Sequence, residues 1–325
     1  MPVITYREAL NQAMDEEMAR DDRVFLLGEE VAEYNGAYKV SKGLLDKYGP
    51  HRVLDTPITE LGFTGLAVGA ALAGLKPIVE WMTMNFGILA LDQVINNAAK
   101  LRHMSGGQLA VPMVIRGPNG PAEYLSSQHS QSLAATFAHL PGIKVVAPAT
   151  HYDAKGLLKS AIRDGNPVVV LEGEMIYGHT GEVPEGEYLI PIGKADIKRV
   201  GKDVTLISFG KPVLMLLQAA EVLAAQGIDA EVLDLRSIRP LDTEAIYASV
   251  RKTNRAVVVD EDWPIASVGS HIQALIAVNC FDDLDAPVEF VSCEDVPMPY
   301  NHHLELAVQP SINKIVAAVR RASYL

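Results

Sequence analysis

The residue in this sequence best placed to do chemistry is an acid at the head of a long uncharged run. Asp55-Thr56-Pro57-Ile58-Thr59-Glu60 leads into Leu61–Leu75, which holds no charged residue. Glycines at 62, 65, 69 and 74 leave room for another backbone or a flat ligand to come close. Glu60 is therefore expected where water is scarce. A carboxyl in such a place tends to keep its proton, and a retained proton can be donated. The plainer reading is an acid at a helix N-terminus, favoured by the helix dipole, and spacing alone does not separate the two. His129, in the polar cluster Ser126-Ser127-Gln128-His129-Ser130-Gln131, could shuttle a proton near neutral pH or simply hold its loop. Glu29 lies just past an apolar strand pattern and reads either as a site carboxyl or as a solvated one.

The elements that would carry these residues follow from the apolar pattern. Thr5-Tyr6-Arg7-Glu8 has the form of a capping box, and Tyr6, Leu10, Ala13, Met14 and Met18 then share one helix face. Short apolar runs predict strands near 24–27, 52–54, 77–82, 112–116, 144–146 and 168–172. Helices are predicted near 60–75, 86–103, 128–139 and 151–164. A Gly- and Pro-rich stretch over 173–192 breaks the pattern. A second series follows, with strands near 204–208, 231–234, 256–259 and 288–291 and helices near 213–226, 242–252, 267–278 and 311–321. The fold class expected is α/β, two domains, both with mainly parallel sheets, divided as 1–187 and 188–325.

Bulk properties exclude several classes. The 325 residues carry a formal charge of -12 and no basic stripe, which argues against nucleic acid as a partner. With 49% hydrophobic residues, a large core is available. The run Leu61–Leu75 falls short of the roughly 20 residues of a membrane span, so no membrane association is expected. Cys280 and Cys293 match no zinc or redox spacing and read as reduced thiols. Met1-Pro2-Val3-Ile4-Thr5 runs straight into the first helix signal, so no targeting segment is expected and the expected compartment is cytoplasmic. The acidic clusters Asp260-Glu261-Asp262 and Asp282-Asp283-Leu284-Asp285 read as solvated faces.

Familiar site motifs are missing: G-x-G-x-x-G after a strand, the G-x-x-x-x-G-K-[ST] phosphate loop, H-E-x-x-H and G-x-S-x-G. An α/β chain without its own phosphate or metal motif either binds something neutral or shares a site with another chain.

Eight strings in order along the chain point to one family. They are Phe25-Leu26-Leu27-Gly28-Glu29-Glu30-Val31, Asp55 to Glu60, Asp92-Gln93-Val94-Ile95-Asn96-Asn97-Ala98-Ala99-Lys100 and Met104-Ser105-Gly106-Gly107. Arg116-Gly117-Pro118-Asn119-Gly120, Gln128-His129-Ser130-Gln131, Ser160-Ala161-Ile162-Arg163-Asp164-Gly165-Asn166-Pro167 and Asp295-Val296-Pro297-Met298-Pro299-Tyr300 follow. Over essentially its whole length the chain resembles the beta subunits of 2-oxo acid dehydrogenases, the pyruvate dehydrogenase branch in particular.

The resemblance implies a thiamine-diphosphate pyrimidine-binding domain followed by a transketolase C-terminal-like domain, in an assembly of two alpha and two beta chains. The alpha chain would hold the diphosphate and magnesium through a G-D-G…N signature that these residues lack. Glu60 would protonate the aminopyrimidine ring, and His129 would face the reacting end of the cofactor. Ile58, Met82 and Phe86 would wall the pyrimidine, and Glu29 would join a proton path between two sites. Met113, Ala161, Ile162, Asp164 and Asn166 match a structural potassium site, supplied largely by backbone carbonyls; an ordinary glycine-capped helix end is the simpler reading of 161–166. The implied partners are the alpha subunit and dihydrolipoamide acetyltransferase, met through its subunit-binding and lipoyl domains. Acidic residues of the second domain and the Leu325 carboxylate would suit the first of these.

The implied reaction is oxidative decarboxylation of pyruvate, the acetyl group passing to lipoamide. The same chemistry on branched-chain 2-oxo acids or acetoin is the near alternative. A catalytically inert scaffold and a complete single-chain synthase are the distant ones; retained Glu60 and His129 argue against the first, and the absent signature against the second.

Overall fold

The computed structural model describes residues 2–325. It forms two compact units, each described by itself. One runs to Asn119 and resumes over Thr136–Ile192; the other takes Gly120–Ala135 and Gly193–Leu325.

The first unit holds strands β1 (Val3–Thr5), β2 (Val24–Gly28), β3 (Val53–Asp55), β4 (Lys76–Glu80), β5 (Val114–Asn119), β6 (Lys144–Val146), β7 (Val168–Gly173) and β8 (Thr180–Glu182). Within the unit the main sheet has the order β6-β7-β5-β4-β2-β3, every pair parallel. Strands buried on both faces are mostly apolar, and Val24 to Gly28 are all buried. The chain leaves β2 for β3 on one side and returns across it to β4 on the other, so strand order reverses at β2. In such sheets ligands gather beyond the strand C-termini at that reversal.

Helices α1 (Tyr6–Arg20), α2 (Leu44–Tyr48), α3 (Glu60–Leu72), α4 (Leu101–Met104), α5 (Ala134–Ala138) and α6 (His151–Arg163) connect the strands. The capping box of α1 forms as expected, with Thr5 and Glu8 bonding each other's backbone N–H groups. Helices α1 and α6 are joined by ion pairs: Glu17 to Arg163 at 2.6 Å and Glu16 to Lys155 and Lys159 at 2.7 and 2.5 Å.

Two predicted helices are corrected. Residues 86–103 form no continuous α-helix but a 3-10 turn (Phe86–Ala90), a π-turn (Gln93–Ala98) and the short α4. Asn side chains donate four residues back along this stretch, Asn96 to the Asp92 carboxylate at 2.6 Å and Asn97 to the Gln93 side-chain oxygen at 2.9 Å. Residues 128–139 give only a 3-10 turn (Ser127–His129) and α5. Residues 130–133 between them are not helical, and the Ser130 hydroxyl bonds the Ala122 carbonyl across the loop. The presumed linker over 173–192 contains β8, which pairs antiparallel with β1, Val3 opposite Glu182.

The second unit adds β9 (Asp196–Arg199), β10 (Val204–Ser208), β11 (Ala230–Asp234), β12 (Ser237–Arg239), β13 (Ala256–Val259) and β14 (Glu289–Val291). Its sheet has the order β14-β13-β10-β11-β9, parallel except for the edge strand β9. Helices α7 (Pro212–Ala224), α8 (Thr243–Thr253), α9 (Val268–Asn279), α10 (His302–Val308) and α11 (Ile312–Ala322) complete it. Both units are mainly parallel α/β, as the apolar pattern predicts. Among the described residues no helix is long and apolar enough to cross a membrane. Cys280 and Cys293 are free and buried.

Candidate active site

Three neighbouring strands of the first unit bring the candidate residues to one end of the sheet. Glu29 directly follows β2, Glu60 begins α3 four residues after β3, and Met82 and Phe86 lie beyond β4. Glu29 and Glu60 are each only 4% exposed. Met82 and Phe86 are half-buried, whereas Ile58 is 84% exposed.

Glu29 and Glu60 form a carboxyl pair. Burial first, then the Glu60 charge and a hydrogen bond with Glu60, push Glu29 up to about 7. Each of these causes favours the neutral form of Glu29. Oε1 of Glu29 is buried with no hydrogen-bond partner among the described residues. The arrangement places two buried carboxyls side by side, one of them raised, which is chemically able to store a proton. Gly28 is required for it: a Cβ there would lie 2.4 Å from the carbonyl oxygen of Glu80 on the adjacent strand.

A raised carboxyl makes stability fall with pH. Folded Glu29 keeps a proton that the unfolded chain releases above its ordinary value of 4.5. Its contribution is therefore greatest below that value, declines as pH rises through about 7, and is flat beyond. Glu29→Gln removes the decline. The variant should gain on the order of 1–2 kcal/mol relative to the parent between pH 5 and pH 8, a figure discounted for solvent screening. Paired melting curves at the two pH values test this, and equal pH dependence in both proteins would refute it.

Beneath this end of the sheet lies a fully buried charge cluster. Arg116 of β5 binds Glu80 of β4 and Glu172 of β7, and the Tyr177 hydroxyl donates to Glu172 at 2.6 Å. Burial pushes Glu80 up although Arg116 pulls it down, and burial and Glu172 push Tyr177 well up. No sequence motif marks this cluster, because its members come from three separate strands and the segment after β7.

The second unit holds His129 near the tip of a closed loop. The Gly120 N–H donates to the Gln131 carbonyl at 3.1 Å, and the Ser130 hydroxyl donates to the Ala122 carbonyl at 3.2 Å. Lys211 donates to the Pro121 carbonyl at 3.2 Å and pairs with Glu261 at 3.0 Å. Tyr124 stacks on His302, with ring centroids 4.8 Å apart. His129 itself is half-buried, its N–H donating to the Ser126 carbonyl at 3.3 Å.

The cluster Asp260-Glu261-Asp262 is no solvated face, which corrects the expectation. Asp260 and Asp262 are buried, and Asp260 accepts from the N–H groups of Gly269 and Asp262 at 2.9 and 3.1 Å. Burial raises Asp260 to about 7, with the charge of Asp262 adding to it, and burial raises Asp262 to about 6. Asp262 also accepts from the Ala135 N–H at the foot of the His129 loop. Burial pushes the Cys293 thiol up to about 12, so it is no nucleophile at neutral pH.

The proposed potassium residues lie just before β5, in α6 and in the turn after it, with their backbone already hydrogen-bonded in part. The Met113 carbonyl accepts from the Val168 N–H at 3.0 Å, at the start of β7. The Ala161 carbonyl accepts from the Asp164 N–H at 3.2 Å, and Ile162 is buried. The Asp164 carboxylate is already engaged, by Asn166 at 2.9 and 3.1 Å and by Lys144 at 2.5 Å.

The fold and this carboxyl pair define a chain of the transketolase type. The family model described as "Transketolase, pyrimidine binding domain" matches residues 3–179, and "Transketolase, C-terminal domain" matches 193–315. The chain is 55% identical over 321 residues to the "Pyruvate dehydrogenase E1 component subunit beta" of Rickettsia felis, covering 99% of this chain and 98% of that one. It is 56% identical over 325 residues to the mitochondrial pyruvate dehydrogenase E1 component subunit beta-2 of Oryza sativa subsp. japonica, covering 99% and 86%. A solved structure described as "Split gene transketolase, inactive beta4 tetramer" has the same fold, with a TM-score of 0.80 at 23% identity over 99% of both chains. The chain belongs to the family of pyruvate dehydrogenase E1 beta subunits.

Proposed function

We propose that this chain is the beta half of a thiamine-diphosphate-dependent pyruvate dehydrogenase, decarboxylating pyruvate oxidatively and passing the acetyl group to the lipoyl group of dihydrolipoamide acetyltransferase. The observation that carries the reading is the buried carboxyl pair Glu29–Glu60, with Glu29 raised, at the strand-order reversal. Bound thiamine diphosphate supplies the nucleophilic carbon and the electron sink for loss of carbon dioxide. Glu60 would relay a proton to a pyrimidine ring nitrogen, and Glu29, the raised member of the pair, would supply it. The unpartnered Oε1 of Glu29 fits a site that needs a further polar group to complete it. Met82 and Phe86 provide apolar surface next to the pair, and Ile58 extends it outward. His129 serves substrate binding or acetyl transfer.

The other half of the site is assigned to an alpha subunit, which would hold the diphosphate and magnesium. Two features support a shared site. The sequence carries no phosphate loop, and Ile58 and Leu61, which flank Glu60 along the chain, are exposed. We further propose an assembly of two alpha and two beta chains, docking of the acetyltransferase on the second domain, potassium held at Met113, Ala161, Ile162, Asp164 and Asn166, a cytoplasmic location, and a domain boundary at 187/188. The deciding experiment is reconstitution. Purified with an alpha chain, the protein should turn over pyruvate and favour it over 3-methyl-2-oxobutanoate; alone it should show no decarboxylation. Preference for the branched acid would overturn the substrate, and turnover by the isolated chain would overturn the shared site.

A further inference from the structure

Both carboxyls of the pair hang from one anchor. Gly28 stands opposite Asp55 in the parallel register of β2 and β3, and the Thr56 N–H donates to the Gly28 carbonyl at 2.9 Å. The Asp55 carboxylate then reaches across the turn beyond Glu29. It accepts from the Ala32 N–H at 2.7 Å and the Glu33 N–H at 3.1 Å. Residues 28 to 33 are thus tied at both ends to Asp55-Thr56, and the same strand end leads within five residues to Glu60.

The turn so held is strained. Glu30, next to Glu29, stands at φ +60°, a left-handed backbone that costs a non-glycine residue on the order of 1 kcal/mol or more. Its carbonyl accepts from the Gly36 N–H at 2.7 Å, and the Val31 carbonyl accepts from the Ser41 hydroxyl at 2.7 Å. These bonds close the far side of the loop. On the near side, the bonds across to β3 from residues 32 and 33 are those to Asp55. Two successive N–H groups converging on one carboxylate make a charge-assisted clamp, stronger than bonds to a neutral acceptor.

We propose that Asp55 is a positioning residue for the Glu29–Glu60 pair: it holds the strained turn after Glu29 against the strand that leads to Glu60, and so sets the distance between the two carboxyls. The proposal deepens the function given above and rests on it. Asp55 touches neither reacting atom. Its removal acts through geometry, and a small displacement of a proton donor is costly in rate.

The test uses the complex reconstituted with the alpha chain, carrying Asp55→Ala or Asp55→Asn. In the cofactor-free complex, backbone hydrogen exchange over residues 29–36 should rise at least about tenfold in Asp55→Ala, with the rest of the chain unchanged. With cofactor and pyruvate, kcat should fall about tenfold to hundredfold while KM stays within about twofold. Asp55→Asn keeps an oxygen for the Ala32 N–H and should fall between Asp55→Ala and the parent in both readouts. Unchanged exchange at 29–36, or exchange raised evenly through the chain, would overturn the proposal. So would a loss confined to KM, or an Asp55→Asn no better than Asp55→Ala. If the parent complex shows no pyruvate turnover, the proposed function fails while the exchange measurement still decides whether Asp55 holds the turn.

Discussion

Replacing Glu60 by Gln in the alpha-containing complex is expected to cut pyruvate decarboxylation by roughly 10²–10⁴-fold, the range typical of losing a general acid. Gln has nearly the same shape, so packing at the start of α3 survives. The loss of charge at a helix N-terminus costs only about 0.3–1 kcal/mol. The proton goes with the carboxyl: an amide cannot exchange one with Glu29 or deliver one to a ring nitrogen. Exchange of the cofactor's reactive carbon-bound proton reads this step directly, separate from substrate binding and acetyl transfer. It should slow by a similar factor while the melting temperature stays near that of the parent. Exchange at the parent rate in a folded variant would remove Glu60 from the chemistry.

The second large effect is on stability. Arg116→Met should destabilise the protein by about 3–5 kcal/mol, because it leaves Glu80 and Glu172 buried without their cation. Arg116→Lys should recover little, since an ammonium cannot offer the planar fork that reaches both glutamates. Arg116→Met combined with Glu80→Gln and Glu172→Gln should recover most of the loss, because no buried charge then lacks a partner. Melting temperature and soluble yield of the four proteins check this. An Arg116→Met variant as stable as the parent would show that the cluster is not what holds β4, β5 and β7 in place. The effect reaches the site, because the Glu80 carbonyl lies against Gly28, one residue before Glu29.

Periodicity alone locates most regular elements. Val24–Gly28 and Ala256–Val259 are apolar throughout because both faces are covered, and α3 starts at Glu60, where the charged residues stop. Glu60 and Glu29 were also legible, one as a lone acid ahead of an uncharged run and the other as an acid at a strand end. Their pairing was not, since it depends on β2 and β3 lying side by side. Asp55 stood in plain view within its motif, but nothing local shows which backbone amides its carboxylate will meet. Asp260 and Asp262 misled because a run of acids looks alike whether it faces water or caps buried N–H groups. The break-up of 86–103 into three kinds of turn, and the non-helical residues 130–133, are imposed by longer-range packing that overrides helical propensity.

Residues 120–135 lie between two stretches of the first unit along the chain, yet they belong to the second. The bonds that close and hold the His129 loop come from Lys211, Asp262, His302 and Glu305 as well as from the loop itself. The modules of this protein are therefore not separable by a single cut. A gene fusion or domain exchange made at the linker would carry His129 with the first half and leave its scaffold with the second. Recombination that preserves a working loop must move two segments together, so the two halves of the gene are bound to drift as one.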